Sequence, residues 1–443
     1  MLDLLIRGAT LVTGDPARPV IRNGAIGVRG NRLALVCPAA EAPADAAVAR
    51  VIDLPERVIT PGFVNVHTHA ALTMVRGVAD DLGTAPSYTP GIPHGEDLTP
   101  DEACAFARLG ALEAMLFGST LVNDTYVHAD ATLPAMAELG LRVYASPRIH
   151  DADLALIADG RWEHRRDIGE RTLGAALAMA ERWQGRADGR VGVQLAAHAP
   201  DTCSDAFLKH VAETAHAKGL QVAIHLAQSR GEVEQVRRRS GRTPAELLDD
   251  VGLLDDRLIA AHCLFLTDAD IERIGRARVN VAHIPKGNAA GGMMAPTPRL
   301  RSAGANLALG TDNMHADMVE VMRWALAIAR IQVGAVAADW QPADVLAMAT
   351  ANGARAMGLS GSLGSLAAGK LADFVAVDFR RAHLTPDTNP LGTLVHTGHG
   401  RDVELVVVDG AIVVEGGRPT RVDAEAVRRE AKRAAEALWH RVR

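Results

Sequence analysis

Two patterns of hydrophobic residues divide this chain of 443 residues. Toward both ends, short apolar runs are separated by turn residues, as in LLIRGATLV and RLALVCP before residue 57 and in VELVVVDG after residue 360. Such runs predict β-strands, and the pair Asp409 and Gly410 predicts a hairpin turn. Between about residues 58 and 360, apolar strand-like runs alternate with helical segments. This alternation predicts a parallel sheet that is covered by helices.

The central region has room for eight units of strand and helix. The predicted strands cover residues 59–66, 119–123, 141–146, 190–196, 220–225, 257–262, 278–282 and 305–310. Between the first two, Thr99 can cap a helix that has Pro100 at its first position and Gly118 after its end. Eight such units predict an α/β protein with a (β/α)8 TIM-type barrel.

The predicted organisation has three parts. Residues 58–360 form the barrel, residues 1–57 and 361–422 together form a small β-sandwich domain, and residues 423–443 form a C-terminal helix. The last segment mixes basic, acidic and apolar residues in the way that is typical of an amphipathic surface helix.

Composition excludes several classes of partner. The chain is 48% hydrophobic and 23% charged, and its net charge is −6 with no basic cluster, so neither nucleic acid nor an anionic membrane is an expected partner. Apolar runs are shorter than the ~20 residues that a membrane span needs.

The four cysteines lack CxxC spacing, which argues against a disulfide framework or a thiolate zinc site. Without the pattern of a signal peptide at its N terminus, the protein is expected in the cytoplasm.

Histidine and aspartate recur where predicted strands end. Residues i and i+2 of a strand point to one side, so the two imidazoles of the HTH triplet in PGFVNVHTH converge. Side chains at the carboxyl ends of barrel strands meet at one mouth of the barrel, which predicts a metal site there. The residues at such strand ends are His67, His69, His225, His262, His283 and Asp312.

Several motifs in order and spacing resemble the amidohydrolase superfamily. They are PGFVNVHTH, HAPDTCS, HLAQSRGEVE, AHCLFLTDADI, HIPKGN, LGTDN and GSLAAGKLADFVAVD, and together they span nearly the whole chain. More narrowly, the chain resembles the branch that includes S-adenosylhomocysteine deaminase, other heterocycle deaminases and triazine hydrolases. The resemblance implies a hydrolase that acts on a carbon–nitrogen bond of a small molecule, through a metal-activated water, and that forms a homo-oligomer.

The resemblance also implies one divalent metal, Zn²⁺ with Fe²⁺ as the alternative. Its ligands would be His67, His69, His225 and Asp312, a set that suits zinc and leaves a position open for water. Asp312 would carry a proton from this water to the departing nitrogen, and His262 would hydrogen-bond the attacking hydroxide or the developing oxyanion.

Gln228 departs from the pattern of the deaminases that the chain resembles. They have a glutamate at this position, which protonates a ring nitrogen, whereas an amide can only form hydrogen bonds. Either the substrate needs no such protonation, or another group supplies it, or ring deamination is the wrong reaction. The alternative substrates are a cyclic amide, a urea, a carbamate or a halogenated heterocycle. A noncatalytic binding protein would lack metal ligands, yet all four are present.

Other polar residues are predicted to contact the substrate. The loop that carries Tyr88 has no tryptophan, with which relatives cover an aromatic substrate, and this argues against S-adenosylhomocysteine itself. Lys286 can pair with a carboxylate or phosphate of the substrate. Asp201 indicates a polar pocket, and the role of His283 stays open between structure and substrate contact. Together with Gln228, the predicted contacts are Tyr88, Arg148, His198, Lys286, Asn288 and His315.

Overall fold

The computed structural model describes residues 1–82, 89–313 and 315–442, without the side chains of residues 158 and 159. The predicted contact Tyr88 therefore lies outside the described residues. Among the described residues, no helix is both long and apolar enough to cross a membrane.

The described chain alternates strands and helices through its centre. The strands are β1 (Leu2–Val12), β2 (Val20–Arg29), β3 (Arg32–Pro38), β4 (Val48–Asp53), β5 (Arg57–Pro61), β6 (Phe63–Thr68), β7 (Ser119–Tyr126), β8 (Arg142–Ile149), β9 (Val191–Val193), β10 (Leu195–Ala197), β11 (Val222–Leu226), β12 (Leu258–His262), β13 (Asn280–His283), β14 (Asn306–Leu309), β15 (Phe374–Asp378), β16 (Val403–Val408), β17 (Ala411–Glu415) and β18 (Arg418–Pro419). The helices are α1 (Pro100–Leu116), α2 (Ala129–Ala137), α3 (Arg166–Trp183), α4 (Asp205–Lys218), α5 (Arg230–Ser240), α6 (Pro244–Asp250), α7 (Asp268–Arg276), α8 (Pro285–Ala290), α9 (Thr297–Ala303), α10 (Met318–Val333), α11 (Pro342–Ala349), α12 (Ala351–Ala356), α13 (Pro390–Thr397) and α14 (Ala424–Val442).

The central sheet is the predicted barrel. Its strands are parallel in the order β6-β7-β8-β10-β11-β12-β13-β14, and β9 also pairs with β8. A parallel bridge between Thr68 and Asp312 joins the two edge strands and closes the circle. Helix α1 begins as predicted, because the Thr99 side chain accepts a hydrogen bond from the backbone of Glu102 and Pro100 follows it.

One predicted strand is two strands in the structure. The run predicted at 59–66 breaks at Gly62, so that β5 lies in the second sheet and β6 in the barrel. Gly62 passes so close to Thr120 that a Cβ atom would overlap its side chain. The pair Pro61 and Gly62 marks this break in the sequence, but the prediction continued one strand across it because apolar residues stand on both sides.

The second sheet combines both ends of the chain, as predicted. Its order is β18-β17-β16-β15-β5-β1-β2-β3, and β4 pairs with β1. Along β1, Leu4 and Ile6 belong to one hydrophobic core and Leu5 to another, which gives the sheet a buried residue on each face. Asp409 and Gly410 form the turn between β16 and β17, and both have positive φ angles. The predicted domain limits at residues 57, 360 and 422 stay a prediction.

A buried cation connects the barrel to this second sheet. Arg142 at the start of β8 donates to both carboxylate oxygens of Asp373, at 3.2 and 3.1 Å, and to Asp409 at 3.0 Å. The backbone N–H of Asp409 also donates to Asp373 at 2.8 Å. Two acidic residues from the C-terminal part of the chain thus share one guanidinium of the barrel.

Replacing this cation should destabilise the protein. In Arg142→Met, the buried carboxylate of Asp373 loses its counter-ion, and we expect the free energy of unfolding to fall by about 3–5 kcal/mol, seen as a lower urea midpoint. The control is Arg182→Met, which breaks the exposed pair with Asp130 and should change stability by less than about 1 kcal/mol. Equal losses in the two variants would contradict this role of Arg142.

Candidate active site

The four predicted metal ligands meet at the carboxyl end of the barrel. Nε2 of His69 lies 3.2 Å from Nε2 of His225 and 3.4 Å from Oδ1 of Asp312. Nε2 of His67 lies 3.6 Å from the same oxygen and is buried, with no hydrogen-bond partner among the residues that the structure describes. Ligands around a tetrahedral zinc with bonds of 2.0–2.1 Å are about 3.3 Å apart. The three separations of 3.2, 3.4 and 3.6 Å are close to this value and are compatible with ligands of a single ion.

Backbone carbonyls orient two of the imidazoles. Nδ1 of His69 donates to the carbonyl of Thr125, and Nδ1 of His225 donates to the carbonyl of His198 at 2.6 Å. Each ring therefore directs the lone pair of Nε2 toward the other ligands. Burial lowers the pKa of His69 to about 3 and the pKa of His225 well below its usual value. Both imidazoles are neutral near pH 7, which is the form that binds metals.

Asp312 is held in place by the strand that contains the histidine pair. Its N–H donates to the carbonyl of His67 at 3.0 Å, and its carbonyl accepts the N–H of His69 at 2.7 Å. Its φ angle of +64° is uncommon for a residue other than glycine. Burial opposes ionisation of Asp312, but the nearby imidazoles of His67, His262 and His69 keep its pKa below the ordinary value.

Three residues that the sequence interpretation missed, Asn65, Gly310 and Thr311, close the barrel beside Asp312. Asn65 donates to Oγ1 of Thr311 at 2.8 Å and accepts the Thr311 N–H at 3.1 Å. A Cβ on Gly310 would lie 2.9 Å from both the Cβ and the carbonyl oxygen of His67. Only glycine allows the chain after β14 to approach β6 so closely.

His262 lies beside the proposed ligands. One of its nitrogens lies within 4.8 Å of nitrogens of His67 and His225, and its ring stacks on that of His225 with centres 5.5 Å apart. Nδ1 is 3.0 Å from Oδ1 of Asn288, which assigns the proton to Nδ1. Burial lowers the pKa of His262, so the ring is neutral and Nε2 can accept a hydrogen bond. The predicted contact Asn288 thus also orients His262.

Asp124 is a further polar residue beside the ligands, and it was not predicted. It is buried at the end of β7, and its carboxylate accepts the N–H of Ala70 at 2.6 Å, directly after His69. Burial raises the pKa of Asp124 to about 6. The sequence signal that could have indicated Asp124 was the polar run NDTY at the end of this buried strand.

Two predicted substrate contacts, His198 and Arg148, lie on one side of the mouth. The His198 ring centre is 5.3 Å from that of His225, and its Nδ1 is 2.9 Å from Oγ1 of Thr202. Arg148 donates to Glu96 at 3.0 Å. Its guanidinium lies 6.0 Å from the ring centre of Tyr126, whose ring is in turn 5.7 Å from that of His69. Glu96 was not predicted, because its position depends on how the chain between β6 and α1 folds back. Tyr126, the last residue of β7, was not predicted either.

Lys286 and His315 follow the last two barrel strands. The Lys286 ammonium donates to Glu320 at 2.8 Å, so its charge already has a partner within the chain. Both ring nitrogens of His315 are buried and, among the described residues, have no hydrogen-bond partner. The same holds for His283, whose side chain is also buried.

Gln228 is positioned by a buried acid. The two carboxylate oxygens of Glu232 accept the N–H groups of Ala227 and Gln228, each at 2.7 Å. Burial raises the pKa of Glu232 well above its usual value. Because both oxygens bind backbone groups, Glu232 fixes the loop and does not replace the missing glutamate at position 228.

Comparison with known proteins identifies the family. The sequence pattern of the Amidohydrolase family matches residues 58–413. The chain belongs to this family. A 5-methylthioadenosine/S-adenosylhomocysteine deaminase of Moorella thermoacetica is 38% identical over 436 residues, which cover 96% of this chain and 97% of the relative. A 5'-deoxyadenosine deaminase of Methanosarcina acetivorans is 34% identical over 447 residues, 99% of each chain.

Solved structures of amidohydrolase folds agree with the architecture. An adenosine deaminase from Xanthomonas campestris with bound zinc superimposes with a TM-score of 0.87 at 29% identity and covers 99% of this chain and 98% of its own. An atrazine chlorohydrolase from Arthrobacter aurescens, in complex with zinc, gives a TM-score of 0.88 at 23% identity, with 98% and 100% coverage, and shows the fold alone. The predicted TIM-type barrel and the predicted class, a hydrolase of non-peptide carbon–nitrogen bonds, are confirmed.

The close approach at Gly310 generates a prediction about metal binding. In Gly310→Ala, the new methyl group should push the chain after β14 away from His67 and lower zinc affinity about 10–100-fold, the range for residues that support ligands. Zinc affinity would be measured by competition with a chelator, followed by metal analysis. Gly174→Ala on α3 is the control, since its Cβ would have open space around it. Equal affinities in the two variants would contradict the prediction.

Proposed function

We propose that this enzyme deaminates an adenosine that is modified at its 5' position. Water would replace the amino group at C6 of the adenine ring, giving a carbonyl group and ammonia. The main support is the convergence of His67, His69, His225 and Asp312 on one point, with His262 beside them, in a chain that is 38% identical to a 5-methylthioadenosine/S-adenosylhomocysteine deaminase.

The proposed cofactor is one zinc ion, held by these four ligands. A bound zinc would polarise the attacking water and lower its pKa toward ~7. The fit rests on the ligand spacing and on the buried Nε2 of His67, which has no hydrogen-bond partner among the described residues. Zinc is favoured over iron because related structures contain it.

Two residues would move protons or hold the attacking water. Asp312 is well placed to take a proton from the water and to pass it to the departing nitrogen. Nε2 of His262 is unprotonated, since its Nδ1 donates to Asn288, and it would accept the remaining hydrogen of the attacking oxygen. This geometry favours a role in which neutral His262 accepts a hydrogen bond from the attacking hydroxide. It argues against a role in which His262 donates a hydrogen bond to a developing oxyanion.

Substrate contacts are proposed on both sides of these residues. His198 and Arg148 lie on the side of β8 and β10, and Asn288 and His315 lie on the side of β13 and β14. Lys286 is a weaker candidate, because Glu320 already neutralises it. Tyr88 stays a sequence prediction.

Gln228 can donate an amide N–H to a ring nitrogen of the substrate without transferring a proton. Adenine deamination on this site therefore lacks one source of general acid catalysis, unless the substrate or another group supplies it. The same observation supports a second candidate function, hydrolysis of a cyclic amide, urea or carbamate, whose carbon–nitrogen bond can be broken without protonation of an aromatic ring.

The first experiment measures bound metal and product release together. Zinc-loaded enzyme would be incubated with 5'-methylthioadenosine, 5'-deoxyadenosine, S-adenosylhomocysteine and adenosine, and ammonia would be assayed. We expect about one zinc per chain and ammonia from at least one 5'-modified adenosine. Bound zinc with no ammonia, but with turnover of a cyclic amide, urea or carbamate, would favour the second candidate.

Asp312→Asn should abolish this activity. The amide keeps the size of the side chain but can neither accept the water's proton nor supply a charged ligand, so we expect kcat to fall at least about 100-fold. Steady-state rates and zinc content would be measured in parallel. His315→Asn serves as the comparison outside the proposed ligand set, and its kcat should fall much less.

Gln228→Glu distinguishes the two candidate functions. If the substrate is an aminopurine, the new carboxyl group can protonate the ring, and kcat/KM for ammonia release should rise about tenfold or more. The rise should disappear at alkaline pH, where the carboxyl group no longer holds a proton. A fall in the native activity at all pH values would instead favour a cyclic amide, urea or carbamate substrate.

We also propose that the enzyme works in the cytoplasm as a homo-oligomer on a small-molecule substrate. The location is supported by four cysteines that form no disulfide. Light scattering after gel filtration would measure the mass of the particle, and a monomer would refute the oligomer.

A further inference from the structure

The last turn of helix α14 reaches the active-site end of the barrel. The indole N–H of Trp439 donates to the carbonyl of Met74 at 3.1 Å. The guanidinium of Arg441 donates to the carbonyl of Asp97 at 2.7 Å and to both carboxylate oxygens of Glu102, at 3.0 and 2.7 Å. The end of the chain therefore contacts two separate turns between β6 and α1.

We call these the two mouth turns, Ala70–Val75 and Gly95–Asp97. The first contains Met74 and starts directly after His69. Its first residue, Ala70, is held by Asp124 on one side. On the other side, Gly110 of α1 lies so close that a Cβ there would be 2.5 Å from the Ala70 carbonyl oxygen. The turn therefore borders the proposed active site directly.

The second mouth turn reaches His69 through an aromatic ring. A Cβ on Gly95 would lie 2.9 Å from Val127 and 3.2 Å from the ring of Tyr126. The Tyr126 ring centre is 5.7 Å from that of His69. The same turn carries Glu96, which pairs with Arg148 at the mouth. Both mouth turns thus lead from α14 to the proposed metal ligand.

The contacts made by Arg441 are of a kind that fixes geometry. A guanidinium that binds both oxygens of a carboxylate has a defined orientation, and the third contact uses this orientation to hold Asp97. The hydrogen bond from Arg441 holds the pKa of Glu102 below its usual value. Because Arg441 is about half exposed, the pair adds little to overall stability, and its effect is local.

We propose that Trp439 and Arg441 are positioning residues, which hold the two mouth turns against the proposed active site and so set how tightly substrate binds. This inference rests on the proposed function. Neither side chain reaches the reacting atoms: Trp439 acts through Met74, and Arg441 acts through Asp97 and Glu102. Holding a binding surface in its bound form before the substrate arrives lowers the cost of binding.

The test uses the full-length zinc-loaded enzyme with Trp439→Phe, Arg441→Met and the double variant. Phenylalanine keeps an aromatic ring but removes the N–H donor, and methionine keeps a long side chain but removes the charge. Arg428→Met is the matched control, since Arg428 lies on the same helix and pairs with exposed Glu425. KM and kcat, zinc content, thermal midpoint and hydrogen exchange of residues 70–82 and 89–99 would be measured.

We expect KM of the double variant to rise about tenfold, because small displacements of binding groups carry penalties of this size. We expect kcat within about twofold of wild type, and unchanged zinc content and thermal midpoint. Hydrogen exchange should become faster in the two mouth turns and stay unchanged in the barrel strands. Arg441→Lys should recover part of the loss, while Arg428→Met should behave as wild type.

An unchanged KM in the double variant would overturn the proposal, whatever the exchange shows. An equal KM rise in Arg428→Met would also overturn it. If no adenosine is a substrate, the proposed function fails separately, and exchange still tests the inference. Faster exchange confined to the two mouth turns would then support the positioning role of Trp439 and Arg441, and unchanged exchange would refute it.

Discussion

The arrangement of the active-site end depends on how the first barrel strand meets the last. Three backbone and side-chain contacts hold this junction: Asp312 N–H to His67, His69 N–H to Asp312, and Asn65 to Thr311. Each contact pulls the chain after β14 toward β6. The histidine pair and the carboxylate would otherwise lie on two unconnected edges of an open sheet. The same contacts place Asp312 in a left-handed conformation that an unconstrained chain rarely adopts.

Around this junction, buried polar groups hold the imidazole rings in place. Asn288 accepts from His262, and the carbonyl of His198 accepts from His225. Burial keeps these imidazoles neutral, the form that can bind a metal ion or accept a hydrogen bond. The hydrophobic barrel therefore contributes to the chemistry by setting protonation states as well as by setting positions.

The repeating strand and helix pattern was sufficient to predict the barrel, because each unit carries its own periodicity. Residues at strand ends were predictable for the same reason: His225 and His262 stand at the last positions of short apolar runs. The departure at Gln228 was recognised because the motif around it resembles that of deaminases, which have a glutamate at this position. The supporting residues were not predictable in this way. Glu96 reaches Arg148 across 52 positions in sequence, and only the folded loop brings them together. The break at Gly62 was marked by the preceding Pro61, but one strand was predicted across it because apolar residues stand on both sides. The partner of Lys286 lies on a different helix.

The second sheet has a consequence for how the chain folds during synthesis. Strand β5 pairs with β1 on one edge and with β15 on the other, and β15 starts at Phe374. The N-terminal strands leave the ribosome first, but one edge of β5 stays unpaired until more than three quarters of the chain has been made. An exposed strand edge can pair with another chain, so a nascent protein of this design needs protection over that interval. Slow translation or truncation before β15 would then favour aggregation, even though every barrel strand is already present.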